Sequence, residues 1–299
     1  VKIGVSFTQP WARLVAWAAW PLGVEVDLVP PDSPSRGYDR LIRFAASEFE
    51  DAGEAFPGRR ALEAAEDLLV QKRLFRALGL LTPGFGRVTS SAELEAMQMV
   101  HGLEGWLRAR DGSRALWVSS REFAVPEGQW VFEHALPGGT ELLLIAVRSG
   151  DGFWLYPPAG RVGEGWVVPW GLGESLLLEI AEGLWRLVQA LDHEGVIEVR
   201  ARMDEGRVAF LDFTPYPTAR GLFTLRSLSH AEAHLRVALG WPVVEPEFPG
   251  PAAVVPLKSL NTALAHPWLK PFVLDRPYAV LWADDESTLR QRLQLLMPR

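Results

Sequence analysis

The chain has 299 residues, 48% of them hydrophobic and 22% charged, which fits a globular protein of two or three domains and argues against wholesale disorder. A net charge of −7 gives no global attraction to nucleic acid or anionic lipid, and the absence of Cys excludes disulfides, thiolate metal sites and cysteine nucleophiles. The longest apolar stretch, Leu14 to Val24, is interrupted by Pro21 and Gly23 and falls short of the ~20 residues a membrane span needs.

In chain order, Lys2 to Ser6 reads as a strand without the apolar core of a signal peptide, and a cytoplasmic location is expected. Pro10 suits a helix start, so Trp11 to Trp20 reads as an apolar helix that Gly23 stops. Val24 to Val29 follows as a second strand before a Pro-rich turn, and together these open an α/β sheet. A helix is expected from Arg59 to Leu78, terminated by Gly79, and a shorter one from Ser91 to Val100. From Trp130 to Val168 the pattern is strand-rich, with Leu142, Leu144 and Ala146 alternating against Leu143, Ile145 and Val147. A long helix, Glu174 to Leu191, precedes a hairpin of Gly195 to Arg202 and Arg207 to Phe213 around Asp204-Glu205-Gly206. Ser229 to Leu239 is helical, Pro242 to Pro256 reads as a joint, and a strand at Tyr278 to Trp282 leads to a helix at Asp285 to Leu296. The six His are scattered without zinc spacing, and no Ser sits in a nucleophile elbow.

Several strings carry a specific resemblance. Lys72-Arg73-Leu74-Phe75-Arg76-Ala77-Leu78-Gly79 with Thr82-Pro83, and Glu133-His134-Ala135-Leu136-Pro137-Gly138-Gly139-Thr140-Glu141-Leu142, resemble the opening helix and the hinge of the ATP-grasp superfamily. Within it, Ala18 to Val24, Glu48-Phe49-Glu50-Asp51, Leu211-Asp212-Phe213-Thr214-Pro215 and Glu232-Ala233-His234-Leu235-Arg236 resemble strings of N5-carboxyaminoimidazole ribonucleotide synthetase, the ATPase subunit of phosphoribosylaminoimidazole carboxylase. The resemblance implies an ATP-grasp fold of mixed α/β and α+β character. It places a shortened N-terminal α/β domain at 1–58, the grasp domain at 59–240 and a small C-terminal domain at 241–299. It also implies ATP or ADP and Mg²⁺ as cofactors, a small-molecule nucleotide as the partner without nucleic acid or membrane, and a homodimer.

The resemblance further assigns residues. Lys72 and Arg108 fall at phosphate-binding, catalytic positions. Glu133, His134 and Leu136 fall on the adenine hinge, and Glu141 at the ribose carboxylate, which suits two hydroxyls because it accepts two hydrogen bonds. Gln9, Arg220 and Arg276 face the substrate, while Glu198 and Asp212 would be the metal carboxylates. Direct spacing back from Asp212 reaches Arg200, and only a slide of two residues along the strand reaches Glu198. The sequence departs elsewhere too. Ser6-Phe7-Thr8-Gln9 replaces a glycine-rich loop, Arg110-Asp111-Gly112-Ser113-Arg114 replaces a glycine-rich lid, and Tyr216, Thr218 and Leu222 replace an Arg and two His. The expectation is therefore a family member with impaired or changed catalysis. The alternatives are a non-catalytic nucleotide-sensing or partner-binding relative (a pseudoenzyme) and an ATP-grasp ligase for another substrate.

Overall fold

The computed structural model describes residues 1–7, 9–33, 37–48, 55–136, 138–259, 261 and 268–296. Thr8 of the opening loop, Phe49 to Asp51 and Pro137 of the hinge string lie outside the described residues. The N-terminal region forms a parallel sheet ordered β2-β1-β3-β4, from β1 (Lys2–Ser6), β2 (Glu25–Val29), β3 (Arg40–Ile42) and β4 (Ala55–Phe56). Helix α1 (Ala12–Ala19) joins β1 to β2 and buries Leu14, Val15 and Ala18. Its exit needs the left-handed turn that Gly23 supplies at φ +66°.

The expected helix from 59 to 78 is two helices, α2 (Arg59–Ala65) and α3 (Leu68–Ala77). The break has a local cause. Asp67 takes an extended conformation and accepts hydrogen bonds from the Leu69 and Val70 amides, so it caps a new helix instead of continuing the old one. The next unit is a small antiparallel sheet ordered β5-β8-β6-β7, from β5 (Phe85–Val88), β6 (Gly105–Ala109), β7 (Ala115–Val118) and β8 (Trp130–His134). Helix α4 (Ser91–His101) packs on it, and Val88, Leu94, Leu107, Val118, Trp130 and Phe132 fill the space between.

The large sheet begins with β9 (Thr140–Ser149), which pairs with β10 (Gly152–Leu155) and β11 (Ala159–Val162), and β11 with β12 (Gly165–Val168). On its other side β9 pairs with β13 (Gly195–Asp204), and β13 with β14 (Arg207–Thr214). The alternation along β9 is realised on two cores. Leu143, Ile145 and Val147 join the core containing α1 and α6 (His230–Ala238), while Leu142, Leu144 and Ala146 join the core under α5 (Glu174–Leu191). Burial on both faces explains why the strand has almost no polar residue in its middle. Each fully buried Leu, Ile or Val there contributes roughly 1.5–3 kcal/mol.

The C-terminal strands continue this sheet. β15 (Ala252–Pro256) pairs with β12 through Val168↔Ala252, β17 (Pro277–Trp282) with β15, and β16 (Leu269–Val273) with β17. Residues 241–251 are irregular, yet β15 directly after them is hydrogen-bonded to the central unit. Helix α7 (Glu286–Leu296) closes the far face with Leu289 and Leu293. No helix among the described residues is long and apolar enough to cross a membrane.

Candidate functional site

A cavity of about 710 Å³ opens between the small sheet and the large one. The small sheet lines it with Trp106 and Arg108 on β6, Ala115 and Trp117 on β7, and Glu133 and His134 on β8. The large sheet supplies Glu141, Arg161, Arg200, Arg202 and Leu211. Ala135 and Leu136 join the two sheets along one wall. Strand geometry concentrates the charges, because Arg200 and Arg202 alternate on one face of β13, as Trp106 and Arg108 do on β6. The joining segment is fixed at several points. The His134 amide donates to Gly84 O (2.8 Å) and the Ala135 amide to Glu104 O (3.0 Å). Arg202 Nε donates to Gly138 O (2.6 Å). Gly139 lies at φ +76°, where a Cβ would come within 1.9 Å of Met203 O, so only glycine fits the turn into β9.

Lys72 does not face this cavity. It is fully buried (0% exposed) on α3, with Nζ against the Glu133 carboxylate and 3.3 Å from Thr82 Oγ1. Burial pushes its ammonium below the usual lysine range, and Glu133 opposes that shift. The pair ties α3 to β8 behind the cleft.

Beside Glu133, which Arg108 Nη1 approaches to 3.9 Å, is a second carboxylate held by arginines. Asp212 receives Arg200 at both oxygens, with Nε–Oδ1 at 2.7 Å and a second contact from Nη2 to Oδ2, and it receives Arg108 Nη2 at 2.9 Å. Burial raises its carboxyl, but the charge and hydrogen bonds of Arg200, with Arg108 and Arg220 behind them, hold it well below the usual carboxylate range. Reciprocally, the Asp212 charge raises the Arg200 guanidinium despite burial. Arg200 Nη1 also reaches Glu141 Oε1 (3.2 Å), and Arg161 Nη1 reaches Glu141 Oε2 (3.2 Å). Such a bidentate, multiply bonded pair is the strong form of the interaction.

The direct strand spacing is the one realised. Arg200 and Asp212 are register partners across β13 and β14, and Glu198 stands opposite Thr214. Glu198 is buried beside Thr218 and His230. Its two oxygens accept from the Thr218 amide and Thr218 Oγ1, each at 2.6 Å, with His230 Nε2 at 3.4 Å. Among the described residues no group of three or more His, Asp or Glu gathers at one point. The acidic oxygens expected to hold Mg²⁺ are thus committed to arginine, threonine and histidine. As placed, the donor set does not fit the hard cation, which needs free anionic oxygens.

A second cavity of about 300 Å³ adjoins the first through Arg161 and Arg200, which line both. Arg220 and Arg276 line it too, with Trp11, Trp166 and Tyr278 as aromatic wall and Glu164 and Asp275 as the acidic residues. These two expected substrate residues are therefore brought together. Gln9 is not, and lines a separate hollow with Phe7, Arg13, Leu28 and Leu274. The segment from Arg110 to Arg114 forms a short turn tied to its own sheet. Gly112 N donates to Ala109 O, Ser113 N and Oγ to Asp111 Oδ1, and Arg110 reaches Asp67 and Gln129. Burial works against the Asp67 charge, yet Arg110 and the two α3 amides hold its carboxyl below the usual range.

Arg161, Arg202 and the Trp106–Trp117 pair line the cleft although sequence reasoning did not single them out. Period-two alternation from Arg200 would have found Arg202, and from Arg108 it would have found Trp106. Arg161 comes from a separate hairpin, and no local pattern signals it.

No protein-family model matches the chain. A formate-dependent phosphoribosylglycinamide formyltransferase of Bacillus subtilis is 25% identical over 286 residues, covering 84% of this chain and 73% of that protein. The N5-carboxyaminoimidazole ribonucleotide synthase of Pseudomonas aeruginosa is 27% identical over 355 residues, covering 98% of each. The N5-carboxyaminoimidazole synthase of Aspergillus clavatus, solved with ADP and aminoimidazole ribonucleotide, superposes with a TM-score of 0.86 at 16% identity, over 99% of this chain and 97% of that one. The chain has the ATP-grasp fold and resembles the N5-carboxyaminoimidazole ribonucleotide synthetases over its whole length.

Proposed function

We propose that the chain is a diverged ATP-grasp protein of the N5-carboxyaminoimidazole ribonucleotide synthetase type that binds an adenine nucleotide with arginine where its relatives use Mg²⁺. The observation that carries this reading is the Arg200–Asp212 pair at the phosphate end of the cleft. A guanidinium there supplies fixed positive charge in a form that binds phosphate directly, while it neutralises the carboxylate a metal would need.

In this reading the base lies along Glu133, His134 and Leu136, the ribose meets Glu141, and the phosphates point to Arg108 and Arg200. Arg161 and Arg200 each take one Glu141 oxygen, and each oxygen keeps a lone pair for a ribose hydroxyl. Lys72 serves by fixing Glu133 instead of touching phosphate. Arg220 and Arg276 hold an anionic group of a second ligand. The short, internally bonded turn at 110–114 is not a glycine-rich lid that closes over the phosphates, which favours holding a nucleotide over transferring its phosphoryl group.

The family reaction, ATP- and bicarbonate-dependent carboxylation of aminoimidazole ribonucleotide, is impaired or lost on this reading. Purified protein given ATP, Mg²⁺, bicarbonate and aminoimidazole ribonucleotide is expected to release no ribonucleotide-dependent phosphate, while ADP still raises its melting temperature. Robust ribonucleotide-dependent release would overturn the loss of the family reaction. One observation favours a second reading, an ATP-grasp ligase for a different acid: the arginine-lined chamber beside the cleft suits an anionic substrate. ATP hydrolysis stimulated by a member of a carboxylic acid panel would select it.

A further inference from the structure

We propose that Trp106 and Trp117 form an aromatic platform that stacks the base of the bound nucleotide and makes the cleft select purines by ring area. The inference rests on the proposed nucleotide binding and names a recognition element that reading does not use.

The two indoles are register partners across β6 and β7, so they stand side by side on one face of the small sheet. That face is the cleft, since both line the 710 Å³ cavity. The intervening residue, Leu107, and Val118 beside Trp117 point the other way and are fully buried in the sheet's own core. Trp106 and Trp117 remain 42% and 44% exposed, although indoles are among the side chains that gain most from burial. Neighbouring exposed tryptophans inside a cavity are the kind of apolar surface that marks a ligand site.

Their arrangement suits a flat ring. The centroids lie 5.1 Å apart with the planes at 70°, an edge-to-face pair that forms a corner and leaves indole surface open to the cleft. Pro83, Ala135, Leu136 and Leu211 line the same cavity, and Arg108, Arg161, Arg200 and Arg202 supply the charge for a phosphate tail. Register places Trp106 opposite Glu133, whose strand runs into the joining segment that the base follows. Stacking is tolerant of base identity because every base has a π face, and a purine offers more of it than a pyrimidine.

The test measures ADP, GDP, UDP and tripolyphosphate affinities for the full chain and four variants: Trp106→Ala, Trp117→Ala, Trp106→Phe and Trp117→Phe. The platform predicts that each Ala variant weakens ADP and GDP by roughly 5- to 100-fold, the range for losing one base–aromatic stack. Each Phe variant stays near wild type, UDP binds wild type more weakly than ADP with the difference shrinking in the Ala variants, and tripolyphosphate, which has no ring, is unchanged. The Trp106→Phe/Trp117→Phe double variant keeps a stacking surface and supplies a second readout if the Ala variants fail to fold. It should bind ADP by calorimetry while losing the ADP-induced quench of tryptophan fluorescence. Wild-type ADP binding that the Ala variants leave unchanged, or a quench that persists in the double variant, overturns the platform and leaves the nucleotide reading standing. Failure of wild type to bind ADP at all overturns both.

Discussion

Two parts of the cleft, the segment from Glu133 to Glu141 and the Arg200–Asp212 pair, are held in different ways. Glu133, His134, Leu136 and Glu141, which the resemblance assigns to the nucleoside, lie on a segment pinned by Arg202, Gly84 and Glu104. At the phosphate end, Arg200 occupies the position where spacing calls for a carboxylate, and the remaining Asp212 is held by two arginines. On the proposed reading, arginine at position 200 puts a fixed cation where a carboxylate would hold a metal.

The largest expected effect tests how firmly the hinge end is built. Lys72→Met removes the near partner of a buried pair and leaves the Glu133 carboxylate only Arg108 Nη1, 3.9 Å away, which should cost about 3–5 kcal/mol of stability by chemical denaturation. A loss under 1 kcal/mol would mean that Glu133 finds another partner and that the hinge does not depend on α3.

The next effect belongs to the core behind both ends. His193 is fully buried beside Val196 at the start of β13, and burial pushes its imidazole down to about 4 from 6.5. A depressed folded-state value means that the neutral form is favoured in the fold. Stability is therefore complete above about pH 6.5 and is lost as pH falls from there toward about 4, approaching roughly 3 kcal/mol. His234 shifts in the same direction, also chiefly through burial, and adds to the loss. Urea unfolding midpoints of wild type and His193→Gln between pH 7.5 and pH 4.5 should converge as the pH falls. Parallel curves would remove His193 as the source.

Within the cleft, Glu141→Ala should weaken ADP by about 1–3 kcal/mol, the range for losing hydrogen bonds to a charged group. An unchanged affinity would detach the ribose from the hinge end and undo the contrast between the two ends. The smallest effect lies at the α2–α3 break. Asp67→Ala should cost about 1 kcal/mol through the lost helix cap and release Arg110, with no change in ADP affinity. A change in ADP affinity would show that the turn at 110–114 reaches the nucleotide after all.

Much of this architecture was legible in the sequence because its signals are local or periodic. The two-sided alternation of β9 located the sheet interior, and the strings around Lys72, Glu133 and Asp212 gave the fold and its order. The helix break at Asp67 has a weak signal, because Glu66-Asp67 between Ala65 and Leu68 reads as the solvent face of one continuous helix unless the capping role of Asp67 is weighed. The role of Glu198 depended on register. A slide of two residues kept it on the right strand face but ignored Thr218 and His230, which approach from a different loop and helix. Gln9 and Arg276 were grouped by resemblance, whereas they line separate hollows. Arg161 has no local signal because its role exists only once β11 lies beside β9.

Whether Arg200 does beside Asp212 what a metal does in relatives is decided by calorimetric titration of ADP with and without Mg²⁺, on wild type and Arg200→Glu. Wild type should bind ADP with equal affinity in both conditions, and binding should appear or strengthen only with Mg²⁺ once glutamate stands at position 200 beside Asp212. Wild-type binding that requires Mg²⁺ would contradict it, and would mean that Asp212 leaves its arginines to hold the cation.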